Sequence, residues 1–310
     1  MDVNHHRRLH WLRGLLFFLL TMLACIFVGG PLQYRFGIWG LLYTELIILI
    51  SSILAVLVMK IDIRDALPVR VPKLRQIIGV VLMVAAGGVL ASCSAYVGYL
   101  LHPEGLAFID TFLRLSSGIH PFTTWLIVAL MPAVCEEFMH RGVILYAYSH
   151  SVSIGKWSAI GWTGILFGLF HLDLTRFAVT AIIGMILSYI MLETRNFVLP
   201  ILYHLLNNSI SVLSSVFTPA PSGSFSSGMD RVVPMLPTAA GTMLILASGA
   251  VFVLRLGAHL MRPSLSSLSD DEKIERIMGQ KKTRILTVFV SILLFASGYA
   301  LLMSSAGEGL

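Results

Sequence analysis

The sequence contains few charged residues and few cysteines. Asp, Glu, Lys and Arg make up 12% of the 310 residues, whereas hydrophobic residues make up 56%. A soluble domain carries roughly 25% charged residues, so this chain lacks the residues for a water-exposed surface. The three cysteines, Cys25, Cys93 and Cys135, lie within apolar runs. Their placement excludes a disulfide framework and a CxxC metal site.

Long apolar runs take the place of the missing charged surface. A helix needs about 20 apolar residues to cross the hydrocarbon core of a membrane. Candidate runs lie at about 11–29, 38–59, 76–102, 122–148, 157–172, 177–193, 197–217, 238–256 and 284–304. We therefore predict an all-α fold, a polytopic transmembrane helical bundle of about eight to nine spans.

The runs and the loops between them predict three parts of the chain. Residues 1–119 form N-terminal transmembrane helices, and the first of these is expected to be an uncleaved span. Residues 120–217 form a helical core that carries the chemistry. Residues 218–310 form C-terminal transmembrane helices, with a Pro-, Ser- and Gly-rich flexible loop at 218–237 and a charged cytoplasmic loop at 262–283.

Lys and Arg are distributed unevenly between the two sides of this predicted bundle. Most of the 22 Lys and Arg residues fall in alternate segments between spans, beginning with the N-terminal segment. The positive-inside rule therefore predicts a multi-pass protein of the cell membrane with a cytoplasmic N-terminus and a C-terminus outside. The net charge of +6 is explained by anionic membrane lipids, and no nucleic acid partner is expected.

Ionisable residues within apolar spans are costly and mark functional sites by default. The fourth span contains adjacent carboxylates, Glu136 and Glu137, followed by His140 and Arg141. Glu137 and Arg141 are four residues apart and can pair on one helical face. Glu136 points about 100° away and is free to act as a base. The alternative is an internal ion network that only holds the helices together.

Two further spans carry polar side chains at a similar depth. His171 ends the fifth span, and His204 and Asn208 share one face of the seventh because they are four residues apart. Interhelical hydrogen bonding is the structural alternative for these residues. Polar groups on three helices at one depth indicate a common cavity, whereas independent structural contacts need not align in this way.

The order of these residues resembles the CPBP family of intramembrane proteases. This family, also called Abi, comprises CAAX proteases and bacteriocin-processing enzymes and includes the type II CAAX prenyl endopeptidases. The resemblance covers about residues 120–217. It rests on three motifs, which are Glu-Glu-x-x-x-Arg at Glu136, Glu137 and Arg141, Phe-x-x-x-His at Phe167 and His171, and His-x-x-x-Asn at His204 and Asn208.

The resemblance implies a function and a role for each residue. The implied activity is an intramembrane endopeptidase that hydrolyses a peptide bond of a membrane-embedded or membrane-proximal substrate. Glu136, together with His171, is expected to activate the attacking water. His204 and Asn208 are expected to bind the developing oxyanion. The second Glu and the Arg of the first motif are expected to form a supporting ion pair.

The sequence leaves the metal requirement open. It has no His-Glu-x-x-His zinc motif, and we favour a metal-free, glutamic-type mechanism without a cofactor. The alternative is a metallo-type peptidase in which Glu136, His171 and His204 bind one Zn²⁺ and water takes the fourth position.

Two functions without peptidase chemistry compete with this interpretation. A non-enzymatic binding or immunity module could hold a peptide in the same polar cavity. A transporter could use the buried groups as a proton relay, but the sequence lacks the paired broken helices expected of one. The partners expected in the leading interpretation are membrane lipids and a peptide or protein substrate in or near the membrane.

Overall fold

The structure, a computed structural model, describes residues 10–101, 116, 118–217, 236–262 and 270–307. Within these ranges the chain folds into helices joined by short links, and no strand is present. The basic residues before His10 and nearly all of the loop predicted at 218–237 lie outside the described residues.

Ten helices follow one another along the described chain. The first five are α1 (His10–Phe36), α2 (Ile38–Met59), α3 (Ile63–Ala66), α4 (Leu74–Leu101) and α5 (Pro121–Ser149). The second five are α6 (Lys156–Phe170), α7 (Leu174–Thr194), α8 (Val198–Phe217), α9 (Leu236–Met261) and α10 (Asp270–Gly307). Wider π-helical turns occur within α1 at Cys25–Gly29 and within α5 at Leu126–Leu130 and Phe138–Leu145.

Seven of these helices are long and apolar enough to cross a membrane, namely α1, α2, α4, α5, α7, α9 and α10. Helix α8 is apolar over the shorter stretch Val198–Leu213, and α6 has 15 residues. The predicted all-α bundle of transmembrane helices is confirmed. The predicted run at 157–172 is thus a helix shorter than a full span, whereas α8 has 20 residues.

The chain divides into two compact units. Unit 1 comprises Met1–Lys73 and Ser94–Thr218, and unit 2 comprises Leu74–Cys93 and Pro219–Leu310. Helix α4 contributes its first part to unit 2 and its last part to unit 1. The three-part division at residues 119 and 217 stays a prediction.

Helix α5 forms the centre of unit 1. Its side chains Met139, Ile144 and Leu145 are buried and belong to one apolar cluster with Phe18 of α1 and Ile48 of α2. Helices α6, α7 and α8 also contact α5. The part of α5 from Met139 to Leu145 is buried at every residue, and so are Glu136 and Glu137. The polar groups of this part therefore need partners inside the bundle.

A tight turn places α1 and α2 side by side. Gly37 joins them with φ of 57°, a left-handed conformation that glycine adopts at little cost. The Gln33 side-chain amide donates to Thr44 Oγ1 over 2.9 Å. This hairpin sets the second half of α1 against the part of α2 that faces α5.

Helices α6 and α7 form a second hairpin with close backbone contact. A Cβ atom placed on Gly184 would lie 3.0 Å from Gly164 Cα and 2.7 Å from Phe167 Cβ. The hydroxyls of Thr163 and Ser188 hydrogen-bond across the same interface over 2.9 Å. Glycine thus permits the approach that brings the end of α6 next to α7.

Short links at one end of unit 1 are held by polar contacts. Asp65 of α3 forms an ion pair with Arg195, and its Oδ2 atom lies 3.0 Å from His150 Nε2. The Phe197 amide donates to the Pro68 carbonyl over 2.8 Å. These contacts tie the α2–α4 connection to the end of α5 and to the turn between α7 and α8.

Unit 2 is built mainly from the antiparallel hairpin of α9 and α10. Gly241 and Gly298 lie against each other's backbone. The Arg255 guanidinium donates to Thr287 Oγ1 over 3.3 Å and to the Gln280 carbonyl over 3.2 Å. The 38-residue helix α10 begins at Asp270, so the second part of the charged segment predicted as a loop at 262–283 is helical and continuous with the last predicted run.

Candidate active site

The two adjacent carboxylates of α5 lie in the interior of unit 1. Glu136 is 8% exposed, and the side chains of Glu137 and Arg141 are fully buried. Arg141 Nη1 donates to Glu137 Oε1 over 2.8 Å, and Arg141 Nη2 donates to the Gly184 carbonyl of α7 over 2.9 Å. The structure therefore places the expected partners together and connects them to a second helix.

His204 of α8 joins the same carboxylate. His204 Nδ1 lies 2.8 Å from Glu137 Oε1, which is also the oxygen that Arg141 contacts. An ionised carboxylate only accepts hydrogen bonds, so the Nδ1 atom carries a proton in this contact. The other ring nitrogen, Nε2, lies 4.0 Å from Glu136 Oε2. Glu137 thus holds the His204 ring with its second nitrogen towards Glu136.

Glu136 differs from Glu137 in what its carboxylate contacts. The Glu136 Oε2 atom is buried and has no hydrogen-bond partner. The charges of His204, Arg141 and Arg176 act on this carboxylate, and so does the like charge of Glu137. Glu137 Oε2 is also buried without a partner, so the two carboxylates differ in that Glu137 Oε1 contacts both Arg141 and His204, whereas His204 Nε2 approaches Glu136 Oε2 only to 4.0 Å.

The Phe167 ring is the common apolar neighbour of the polar groups. The rings of His140, His171 and His204 lie with centroids 4.8, 5.1 and 5.8 Å from the Phe167 centroid. The Arg141 guanidinium lies 4.9 Å from it. Phe167, which belongs to the second sequence motif, therefore fixes the spacing of the cationic and imidazole groups.

His171 follows the last residue of α6. Its Nδ1 atom lies 2.8 Å from the Phe167 carbonyl oxygen, so Nδ1 donates and Nε2 is the remaining acceptor of the neutral ring. The next residue, Leu172, has φ of 51°, and Asp173 then caps α7 by accepting from the Thr175 amide over 2.9 Å. The link predicted between the fifth and sixth runs is thus a short capped turn.

Asn208 lies one turn after His204 on α8. Its Nδ2 atom donates to the Val128 carbonyl of α5 over 3.4 Å, and its Oδ1 atom accepts from Asn207 over 3.3 Å. Both contacts are long for amide hydrogen bonds. The Asn208 amide therefore faces α5, as His204 does, and contacts it at Val128, which precedes Glu136 in the same helix.

Sequence reasoning did not identify two charged groups near this site. Glu45 of α2 is 8% exposed and has a buried Oε2 atom without a hydrogen-bond partner. Arg176 lies in the first turn of α7, and its charge acts on Glu136 and His171. Glu45 could have been identified because it is a carboxylate inside an apolar run. Arg176 could have been identified because it lies in the first helical turn after the capping residue Asp173.

The candidate zinc ligands do not form a recognisable metal centre. Within the described ranges, no three His, Cys, Asp or Glu side chains are grouped so that they could hold a metal ion. The Nδ1 atoms of His171 and His204 are occupied by Phe167 and Glu137. These contacts leave the Nε2 atoms of both rings available, so the alternative in which Glu136, His171 and His204 bind Zn²⁺ stays a prediction, and we assign no step to a metal.

The chain was also compared with known proteins. Residues 118–210 match the family model described as Type II CAAX prenyl endopeptidase Rce1-like. No curated protein and no solved structure matches the chain. The matched segment contains every candidate site residue predicted from the sequence, from Glu136 to Asn208.

Proposed function

From the assignment of residues 118–210 to the CPBP and CAAX protease family, we propose that the protein is an intramembrane endopeptidase of the glutamic type. It cleaves a peptide bond in a membrane-embedded or membrane-proximal substrate. The family supports a CAAX-type intramembrane protease, and the helices are long and apolar enough for a multi-pass membrane protein. The residue roles that follow are part of the proposal.

Glu136 activates the attacking water. Its free Oε2 atom accepts a proton from water as the water oxygen attacks the scissile carbonyl carbon. His171 Nε2 is a second acceptor for this water, because its Nδ1 proton is bound to the Phe167 carbonyl. When the tetrahedral intermediate collapses, Glu136 returns the proton to the leaving amine nitrogen.

His204 and Asn208 stabilise the developing oxyanion. His204 Nε2 can donate when the ring carries both protons, and the Glu137 carboxylate at Nδ1 compensates that charge. The Asn208 amide gives up its 3.4 Å bond to Val128 to become the second donor. One donor of this kind contributes about 3–4 kcal/mol to transition-state stabilisation.

The observation that supports this proposal most directly is that the carboxylates of Glu136 and Glu137 have different contacts. A network that only holds helices together would satisfy both carboxylates, because an unpaired buried charge is costly. Here Glu137 Oε1 accepts from Arg141 and His204 over 2.8 Å each, whereas His204 Nε2 approaches Glu136 Oε2 only to 4.0 Å. The Oε2 atoms of both residues are buried without a partner, so Glu136 is the carboxylate that the ion pair leaves available as a general base.

The test is cleavage of a membrane-peptide library in liposomes by wild type and by Glu136→Gln. We expect Glu136→Gln to lose at least about 100-fold in kcat, since general base catalysis contributes about 10² to 10⁴. The control Glu193→Gln, which removes a carboxylate paired with Lys156 at the other end of α7, should retain the wild-type rate.

Each assay is repeated with a strong chelator. An unchanged rate agrees with the glutamic mechanism, whereas a loss that Zn²⁺ restores would move Glu136, His171 and His204 to ligand roles. Equal rates in wild type and Glu136→Gln would remove Glu136 as the base. Peptide binding without any cleavage would favour the binding or immunity module.

A further inference from the structure

A polar face continues along α8 beyond His204. Asn207, Asn208 and Ser211 lie three, four and seven residues after it, so all three lie within about 60° of it around the helix axis. The Asn207 and Asn208 side chains are half-buried, and Ser211 is exposed. Asn207 and Ser211 have no role in the proposed function, although they extend the face that carries two of its residues.

The polar groups of this face satisfy one another only in part. Asn207 Nδ2 donates to Asn208 Oδ1 over 3.3 Å, and Ser211 Oγ donates to the Asn207 backbone carbonyl over 3.3 Å. The usual distances are about 3.0 Å for an amide donor and about 2.8 Å for a hydroxyl donor. An amide has two N–H donors and a carbonyl acceptor, and a hydroxyl has one donor and two lone pairs. These contacts therefore leave donors and acceptors of both side chains for a ligand.

The surrounding surface of α8 is apolar. Ile210 and Leu213, which point away from the polar face, are 56% and 60% exposed. Asn208 contacts α5 at Val128, seven residues after that helix begins at Pro121, or about 10 Å along its axis. Exposed polar side chains at this depth of a membrane are costly, so the polar face calls for a polar ligand.

Cleavage of a membrane-embedded segment requires an extended backbone at the scissile bond. In a helix each carbonyl accepts from the N–H four residues further on, so the scissile bond becomes accessible only after local unwinding. Unwinding frees N–H and C=O groups that lipid cannot satisfy. From His204 to Ser211 the helix rises about 10 Å, which equals about three residues of an extended chain. The face thus has the length and the hydrogen-bonding groups to bind the freed backbone on one side of the scissile bond.

We propose that Asn207 and Ser211 bind the backbone of an extended substrate segment, which continues along α8 from the scissile bond at His204 and Asn208. Asn207 supplies an amide donor and acceptor, and Ser211 supplies a hydroxyl. The recognised feature is an unpaired peptide backbone, so the substrate class is a membrane segment that unwinds readily, for example at glycine. This inference rests on the proposed function, to which it adds the binding of the residues beside the scissile bond.

The first test removes both side-chain hydrogen-bonding groups in the cleavage assay. For the double variant Asn207→Leu, Ser211→Leu we expect KM to rise about 5-fold to 30-fold, the range for two neutral hydrogen bonds, and kcat to change less. Ser92→Leu is the matched control, because this exposed serine of α4 also donates to the carbonyl four residues earlier, and it should retain the wild-type KM. A KM within about twofold of wild type, in a double variant with wild-type thermal unfolding, overturns the proposal.

The second test measures binding without cleavage, in Glu136→Gln in phosphatidylcholine liposomes. The probe is a transmembrane peptide of about 20 leucine and alanine residues, with lysines at both ends, a central glycine stretch and a diazirine-bearing leucine beside it. Because every peptide has the same backbone, the probe does not need the natural side chains. We expect the photocrosslinking yield to fall at least about threefold when the double substitution is added, and to stay unchanged when Ser92→Leu is added.

Backbone esters in the probe test the hydrogen bonds without altering the protein. An ester has no N–H donor, so ester bonds beside the glycines should lower the crosslinking yield as the double substitution does. Equal yields for the amide and ester probes, or for the glycine probe and one with leucines in place of its glycines, overturn the proposal. Failure of wild type to cleave any library peptide refutes the peptidase, while the crosslinking yields still decide whether this face binds an extended backbone.

Discussion

Glu137→Gln leaves two buried donors without the carboxylate oxygen that they share. Arg141 Nη1 and His204 Nδ1 each lie 2.8 Å from Glu137 Oε1, and the side chains of Glu137 and Arg141 are fully buried. Removing one partner of a buried ion pair costs about 3–5 kcal/mol, because the other charge stays buried. The Gln carbonyl still accepts one hydrogen bond, so we expect a loss of about 3 kcal/mol in the free energy of unfolding.

A double-mutant cycle separates the pair from its surroundings. Arg141→Met should also destabilise the protein, since it leaves the Glu137 charge with His204 alone. The double variant should regain part of the loss, because neither charge then remains uncompensated. We expect a coupling energy of about 2–3 kcal/mol, at the upper end of the range for contacting residues.

The assay is equilibrium unfolding of the purified protein in mixed micelles, followed by circular dichroism. Lys156 and Glu193 provide the reference cycle, because they form an ion pair in which the Lys156 side chain is 44% exposed. The Glu193 side chain is 9% exposed, but the Lys156 ammonium stays in contact with solvent, so this pair is expected to couple by about 1 kcal/mol or less. A Glu137–Arg141 coupling no larger than that of the reference pair would refute the reasoning.

Two further predictions concern catalysis and packing. His204→Gln should lower kcat by about 10² to 10³-fold, and Asn208→Ala should lower it by a smaller factor. Both values are measured from initial rates at saturating substrate. An unchanged kcat in either variant contradicts the oxyanion role of that residue. Gly184→Ala should lower the free energy of unfolding by about 1–3 kcal/mol, because its Cβ would meet Phe167 Cβ at 2.7 Å. The control is Gly161→Ala, because a Cβ at this position meets nothing within 4 Å. It should leave the free energy of unfolding, measured by chemical unfolding, unchanged or higher. Equal changes in the free energy of unfolding for the two substitutions would argue against close α6–α7 packing.

The helical architecture could be predicted from the sequence because each apolar run is long and bounded by polar or helix-breaking residues. The ends were less predictable. Helix α1 continues past residue 29 to Phe36 through a π-helical turn, which hydropathy does not reveal. The orientation of the termini in the membrane stays a prediction.

The candidate site could be predicted in part because its motifs combine ionisable residues with apolar spans. The spacing of Glu137 and Arg141 indicated an ion pair, since that contact lies within one helix. The contact of His204 with Glu137 could not be predicted, because it depends on how α8 packs against α5. Glu45 was missed for the same reason, since a single carboxylate in a run gives no indication of its neighbours.

The π-helical segment Phe138–Leu145 of α5 affects how this chain should be aligned with its relatives. A π-helical turn accommodates one residue more than an α-helical turn, and each residue turns an α-helix by about 100°. In a relative whose helix is α-helical throughout, a gapless alignment beyond Arg141 would compare side chains on different faces. Substitutions at Tyr146 or Tyr148 become comparable only after a one-residue gap is placed within 138–145.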